Sequence, residues 1–261
     1  DSAQRRIDMK TYIFDNDDVA LEVANQLKEK SGTIPVRIQL DALGCRRAWK
    51  VLPKSAEGLE MPVLPDMIKY LTQDSSIDLR RARHALLASE HAKFILIDDI
   101  AFFGGMNIGR EYKHDWRDAM FKLTGPVTDD LTQHFERAWM LSHGSDIGRL
   151  RYSWANKKAR RKNANMYLLE TTPTEKQIYK AQLRAIKKAE HHIYIENPYL
   201  WNQSIILQLC KARKRGVDVR VTIPKEVNIA FGASATRAIV RRLLTHGVRV
   251  FVYPGMTHVK A

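Results

Sequence analysis

His91-Ala-Lys93-Phe94-Ile-Leu-Ile97-Asp98-Asp99-Ile100-Ala-Phe-Phe103-Gly104-Gly105-Met106-Asn107 is the stretch that decides how the chain is read. Two apolar runs, Phe94 to Ile97 and Ile100 to Phe103, flank the polar pair Asp98-Asp99, which predicts a β-hairpin. Side chains two apart on a strand share a face, so His91 and Lys93 are expected to point the same way. The same pair returns as His258-Val-Lys260.

Upstream of the hairpin, an apolar run from Ile7 to Phe14 reads as a strand, and Val19, Val23, Ala24 and Leu27 mark a helix. The strand Val36-Arg-Ile-Gln-Leu40 follows. Gly44 to Ser76, with Pro53, Pro62 and Pro65, reads mainly as loop, with a short helix near Asp66 to Leu71. Downstream, Met120 to Thr124 predicts a strand. After Gly125-Pro126, Thr128 or Asp129 is expected to cap a helix with Leu131, Phe135, Ala138 and Trp139 on one face.

The second half repeats the plan. Thr174-Glu-Lys-Gln177 fits a capping box ahead of a helix with Tyr179, Leu183 and Ile186 on one stripe. Then come a strand at Ile193-Tyr-Ile-Glu196, a helix carrying Ile205, Ile206, Leu209 and Cys210, and Gly216 at a helix C-terminus. A strand from Val217 to Ile223, a helix through Ile239, Val240, Leu243 and Leu244 that stops at Gly247, and a strand from Val248 to Tyr253 complete it. Val36-Arg-Ile-Gln-Leu-Asp41 matches Val219-Arg-Val-Thr-Ile-Pro224 in position and character, which suggests an internal duplication with two equivalent sites. The fold class expected is α/β: two similar lobes, each a β-sheet flanked by helices, with the active site at their interface. The lobes are placed at 1–155 and 166–261, joined by the basic stretch 156–165, Asn-Lys-Lys-Ala-Arg-Arg-Lys-Asn-Ala-Asn. That stretch reads as a solvated linker, or alternatively as a patch for anionic lipid or nucleic acid.

The net charge is +14, which favours anionic partners such as nucleic acid, lipid headgroups or phosphate esters without choosing among them. Cys45 and Cys210 are too few for a disulfide framework and lack metal-ligand spacing, so both are expected to be reduced in a cytosolic setting. No run approaches the roughly 20 apolar residues that span a bilayer. No secretory signal pattern is visible, and because the chain opens at Asp1, an upstream segment is a possibility.

His91-Ala-Lys93, four residues, Asp98 and then Gly104-Gly105-Met106-Asn107 resemble the HxKxxxxD motif and following G-[SG]-x-N of the phospholipase D superfamily. Five residues separate Asp98 from Gly104 where six is usual, a difference that a one-residue deletion at the hairpin turn absorbs. His258-Val-Lys260 resembles the start of a second copy, whose aspartate would fall beyond Ala261, so the motif stops short in the printed sequence. Residues 104 to 112, Trp116-Arg-Asp118, Gly125-Pro126 and Ile195-Glu-Asn-Pro-Tyr199 look similar to bacterial cardiolipin synthases and related phosphatidyltransferases.

The chemistry suits these residues. A phosphodiester offers an electrophilic phosphorus ringed by anionic oxygens, so attack needs a nucleophile, cations and a proton for the leaving alkoxide. Two imidazoles can supply nucleophile and acid, and two lysines compact positive charge. The resemblance implies a two-step path through phosphohistidine with no metal and no cofactor. It implies His91 as nucleophile and His258 as general acid and then base, or the reverse. Asp118 is the expected carboxylate that fixes the nucleophilic imidazole, Asn107 and Gly105 are expected to face the substrate phosphate, and Asp98 is expected to stabilise the hairpin. The pair His191-His192 and the aromatics Trp139 and Trp154 are expected at the surface and in core or interface positions respectively.

The resemblance implies phosphatidyl transfer from one phospholipid to another, with an anionic phospholipid and a membrane surface as partners. The site implied is the cytoplasmic face of a bacterial inner membrane, reached peripherally or through an anchor outside this sequence. Three alternatives stay open: a phospholipase releasing phosphatidic acid, a nuclease of the same superfamily, and a non-enzymatic nucleic-acid- or membrane-binding relative with a decayed second site. Oligomeric state is left undetermined.

Overall fold

The structure, a computed structural model, describes residues 2–60, 66–82, 90–142, 166–172, 175–226 and 232–261. The expected 156–165 linker, Trp154 and Thr174 lie outside the described residues. The chain divides into two compact units, one of Asp1–Asp115 with Met120–Leu168, the other of Trp116–Ala119 with Leu169–Ala261. The excursion of Trp116–Ala119 into the second unit differs from the simple two-part division expected, because four residues carry no pattern of their own.

In the first unit, β1 (Ile7–Thr11), β2 (Val36–Leu40) and β3 (Asp78–Arg81) run parallel, with α1 (Asp18–Ser31) crossing between β1 and β2. β4 (Phe94–Ile97) is antiparallel to β1, and β5 (Ile100–Gly104) and β6 (Met120–Leu123) complete a six-stranded sheet in the order β3-β2-β1-β4-β5-β6. All five residues of β1 are buried, so alternate side chains meet different layers. Ile7 and Met9 join Ala20, Ala24, Leu27, Ile38 and Leu71 in one apolar cluster, built on α1 and on α3 (Met67–Thr72). The interleaved Asp8 and Lys10 are charged and equally buried, and they are paired as buried charges must be. Arg37 of β2 donates to Asp8 at 2.6 and 3.0 Å and to Glu136 at 2.6 Å. Glu136 belongs to α4 (Pro126–Leu141), whose Leu131, Phe135 and Trp139 pack with Phe94, Leu96 and Ala101.

The hairpin turn is the two residues Asp98-Asp99, with Ile97 opposite Ile100. Asp98 takes a left-handed φ of 54° that aspartate tolerates. Its carboxylate accepts from the backbone N–H groups of Gln4 (3.0 Å), Arg5 (2.8 Å) and Arg6 (3.1 Å), which hold its pKa below the usual range. Asp98 therefore ties the segment ahead of β1 to the hairpin.

Several local expectations need correction. Ala42–Ala48 forms a helix, α2, where loop was expected, because Asp41 accepts from the N–H groups of Leu43 and Gly44 at its start. β3 was not anticipated, since Asp78-Leu-Arg-Arg81 has no apolar alternation. The fourth helix starts at Pro126 rather than after Thr128 or Asp129, with proline in the first turn, where its missing N–H costs nothing. β4 begins at Phe94, so His91 and Lys93 sit just ahead of the strand rather than on it.

The second unit holds a three-stranded parallel sheet, β7 (His192–Glu196), β8 (Asp218–Pro224) and β9 (Arg249–Tyr253), in that order. α5 (Gln177–Lys188), α6 (Gln203–Lys214) and α7 (Gly232–Thr245) supply its helices. α5 starts at Gln177, after Lys176, whose side chain makes no capping bond. Ile186, Ile206, Leu209, Val219, Val221 and Leu243 form the core. Gly216 ends α6 at φ 96°; its N–H reaches the Arg213 carbonyl and Val217 N–H the Ala212 carbonyl, a Schellman close. Cys45 and Cys210 are free and buried.

The two sheets repeat one register. Lys10 lies opposite Gln39 across β1 and β2, and Glu196 lies opposite Thr222 across β7 and β8. Gln39 and Thr222 hold the same place in the matched strings Val36-Arg-Ile-Gln and Val219-Arg-Val-Thr. On the other side Lys10 faces Phe94, the residue after Lys93, while Glu196 exchanges backbone bonds of 2.9 and 3.0 Å with Ala261, the residue after Lys260.

Candidate active site

In the first unit, the segment leading into β4 carries His91 and Lys93 with their side chains together. Lys93 Nζ donates to the His91 carbonyl at 2.8 Å and lies 3.1 and 3.3 Å from the two ring nitrogens. The His91 ring is exposed and tilted against Tyr12 at a centroid distance of 4.5 Å, whereas Lys93 is buried. Gly104 and Gly105 turn the chain out of β5 toward Asn107, which is buried. Asn107 Oδ1 accepts from Ile13 N–H at 3.1 Å, which fixes the amide and turns its N–H₂ the other way. The Tyr112 hydroxyl also bonds Asn107. Beside it, burial pushes the Glu111 carboxyl up to about 7 and the Asp15 carboxyl up to about 6.

In the second unit, the segment Trp116–Ala119 is laced to the strand-like run through His258. Arg117 N–H donates to the Met256 carbonyl at 3.0 Å, and His258 N–H donates to the Arg117 carbonyl at 2.7 Å. This pairing sets Asp118 beside the ring: Asp118 Oδ2 lies 2.6 Å from His258 Nδ1, with the two side chains 1% and 6% exposed. A carboxylate there holds the proton on Nδ1 and leaves the lone pair of the neutral ring on Nε2. Trp116 and Tyr199 flank the ring at 5.1 and 6.3 Å. Lys260 Nζ donates to the His258 carbonyl at 2.5 Å, the same grip that Lys93 has on His91. Lys260 is exposed as a residue, yet burial around its ammonium pulls its pKa down to about 8 against the opposing Asp118 charge.

Asp118 was expected behind the nucleophile His91, and the structure places it against His258 instead. Linear order misled here, since Asp118 is closer in sequence to His91 but belongs to the unit that holds His258. His191 and His192 are exposed and Trp139 is in the core, as expected. Sequence reasoning missed Tyr12, Trp116, Tyr199, Lys10, Glu90, Glu196 and Thr257. For two of them a signal existed: Glu90 and Thr257 each directly precede a motif histidine.

Comparisons with known proteins show the family and the fold. The family described as "Cardiolipin synthase, PLD-like domain" matches residues 1–139 and 183–261. The cardiolipin synthase of Clostridium perfringens (strain SM101 / Type A) is 27% identical over 276 residues, covering 99% of this chain and 56% of the relative. That of Listeria innocua is 27% identical over 282 residues, covering 100% and 55%. The chain thus spans about half the length of the curated relatives it matches. Among solved structures, phosphatidylserine synthase from Haemophilus influenzae Rd KW20 shares the fold with a TM-score of 0.69 at 12% identity, over 99% of this chain and 70% of that one. Polyphosphate kinase from Porphyromonas gingivalis aligns with a TM-score of 0.53 at 12% identity, over 100% and 38%.

Proposed function

Because the chain belongs to the cardiolipin synthase PLD-like domain family, we propose that it transfers a phosphatidyl group between phospholipids by way of a phosphohistidine. A ring nitrogen of His91 attacks phosphorus as the bond to the leaving alcohol breaks, and His258 gives that alcohol its proton. The acceptor hydroxyl then yields its proton to His258 and attacks the phosphohistidine, which releases His91. Lys93 and Lys260 hold the non-bridging oxygens, and the Asn107 amide with the Gly105 turn lies toward the phosphate.

The observation that carries this reading is the matched pair of His-x-Lys segments, each with its ammonium on its own histidine's carbonyl, at 2.8 and 2.5 Å, in one shared register. Two contacts support the division of labour. The Lys93 ammonium lies beside the His91 ring, where it can hold a phosphate oxygen next to the attacking nitrogen. The Asp118 carboxylate stabilises an imidazolium at His258, the form that protonates a leaving group.

The +14 charge suits an enzyme working at the cytoplasmic surface of an anionic bacterial membrane. Among the described residues no helix is long and apolar enough to cross a membrane. The test is incubation with phosphatidylglycerol vesicles, with products identified by mass spectrometry. Cardiolipin and glycerol are expected. Phosphatidic acid alone would make it a hydrolase, and turnover of nucleic acid without turnover of lipid would overturn the lipid reading.

Lys260 supplies a pH signature. Its ammonium, present below about 8, is lost as the pH rises through that value, so kcat/KM should fall on the same limb. Lys260→Arg keeps its charge beyond pH ~12 and is expected to shift that alkaline limb upward while lowering the plateau. A limb that stays in place would assign the titration to another group.

A further inference from the structure

Each motif histidine is preceded by a residue whose side chain is gripped from the neighbouring strand, and the gripping residue holds the same register position in both units. In the first unit Lys10 Nζ lies 3.3 Å from Glu90 Oε1, and Glu90 precedes His91. In the second, Glu196 Oε1 accepts the Thr257 hydroxyl, and Thr257 precedes His258. Lys10 and Glu196 correspond through both flanking strands, each opposite the fourth residue of its matched string on one side and the residue after the motif lysine on the other.

We propose that Lys10 and Glu196 are a duplicated pair of positioning residues, one for each histidine, a role that rests on the reading of His91 and His258 as the reacting groups. Successive side chains of an extended chain point to opposite sides. Anchoring the residue before a histidine on one side therefore fixes the torsions that present the imidazole on the other. The charge at the anchoring position reverses between the units while the grip persists, so the common element is the geometry and not one ion pair.

The surroundings reinforce both anchors. Lys10 has a side chain only 1% exposed, and it also lies 3.1 Å from His134 Nε2. An ammonium so buried is costly compared with an apolar side chain of similar shape. Glu90 is held from its backbone as well, its N–H donating to Asp41 Oδ2 at 3.2 Å. Glu196 additionally takes Arg117 Nε at 3.0 Å, and Arg117 adjoins Asp118. One carboxylate thus tethers both segments that form the Asp118–His258 pair, and its backbone bonds to Ala261 hold the far end of the second motif.

The experiment follows bis(p-nitrophenyl) phosphate under single-turnover conditions with the protein in saturating excess, where the rate constant does not depend on the fraction folded. Lys10→Met and Glu90→Ala are each expected to lower the rate constant of p-nitrophenolate release about 10- to 100-fold, and Glu196→Leu and Thr257→Val to lower that of phosphohistidine breakdown by the same factor, the loss that a sub-ångström to 1 Å misplacement brings. KM should stay close to that of the wild type. Glu196→Gln, whose amide oxygen still accepts the Thr257 hydroxyl, should stay within about threefold of wild type, less than 1 kcal/mol of barrier. Rate constants at the wild-type value in Glu90→Ala and Thr257→Val would overturn the proposal. If Lys10→Met does not fold, Glu90→Ala decides for the first unit, since the Glu90 side chain is 36% exposed. His91→Ala and His258→Ala run alongside: if both turn over normally, the reading of the site fails, whereas inactive histidine variants beside fully active anchor variants sink the anchors alone.

Discussion

Replacing His91 with alanine is expected to remove turnover by about 10⁴-fold or more, because no other group can take over the covalent step. The ring is exposed, so the fold should survive with a stability change of about 0.5 kcal/mol or less. The decisive readout is the covalent adduct: alkaline detergent quench after mixing with a labelled phosphodiester should trap alkali-stable, acid-labile phosphohistidine in the wild type and none in His91→Ala. His258→Ala should still form the adduct when the leaving group is p-nitrophenolate, which departs without a proton, and should then fail to pass it on. An adduct present in His91→Ala and absent in His258→Ala would exchange the two roles.

Asp118→Asn carries the second large effect, about 10²- to 10⁴-fold on a lipid substrate, the range that proton transfer in the transition state contributes. The 2.6 Å bond to His258 Nδ1 is deeply buried, so no water can replace the carboxylate. An amide there removes the negative charge that favours the imidazolium, and it can present N–H₂ to Nδ1 and so hold the ring in the wrong tautomer. The selectivity of the defect is the test. With p-nitrophenolate leaving, adduct formation in Asp118→Asn should be within about tenfold of wild type, since that step needs little acid assistance. With a lipid alcohol leaving, the full loss should appear. Equal losses on both substrates would mean that Asp118 acts on His91 chemistry instead.

Much of this protein was legible locally. The hairpin around Asp98-Asp99, the strands at Ile7, Val36, Ile193 and Val217, and the helix stripes at Leu131–Phe135 and Ile205–Leu209 follow from apolar period and turn chemistry alone. The strings Val36-Arg-Ile-Gln and Val219-Arg-Val-Thr suggested a repeat, and they lie in β2 and β8, each paired parallel with the strand before it. Elements decided by a single cap were harder to see, as with α2 behind Asp41, and so were strands without alternation, as with β3.

By itself, the sequence determined what lies close along the chain: the placing of each histidine two residues before its lysine, and the two-residue turn that seats Asp98 against the N–H groups of Gln4 to Arg6. Only the tertiary structure decided which imidazole Asp118 serves and which strand residues grip Glu90 and Thr257. Asp118 and His258 are 140 residues apart, and Glu196 and Thr257 are 61 apart. Period and propensity act over a few residues, whereas these partners meet because separate strands pair in a register that buries their apolar faces, and a side chain's partner is set by that register rather than by its neighbours in sequence.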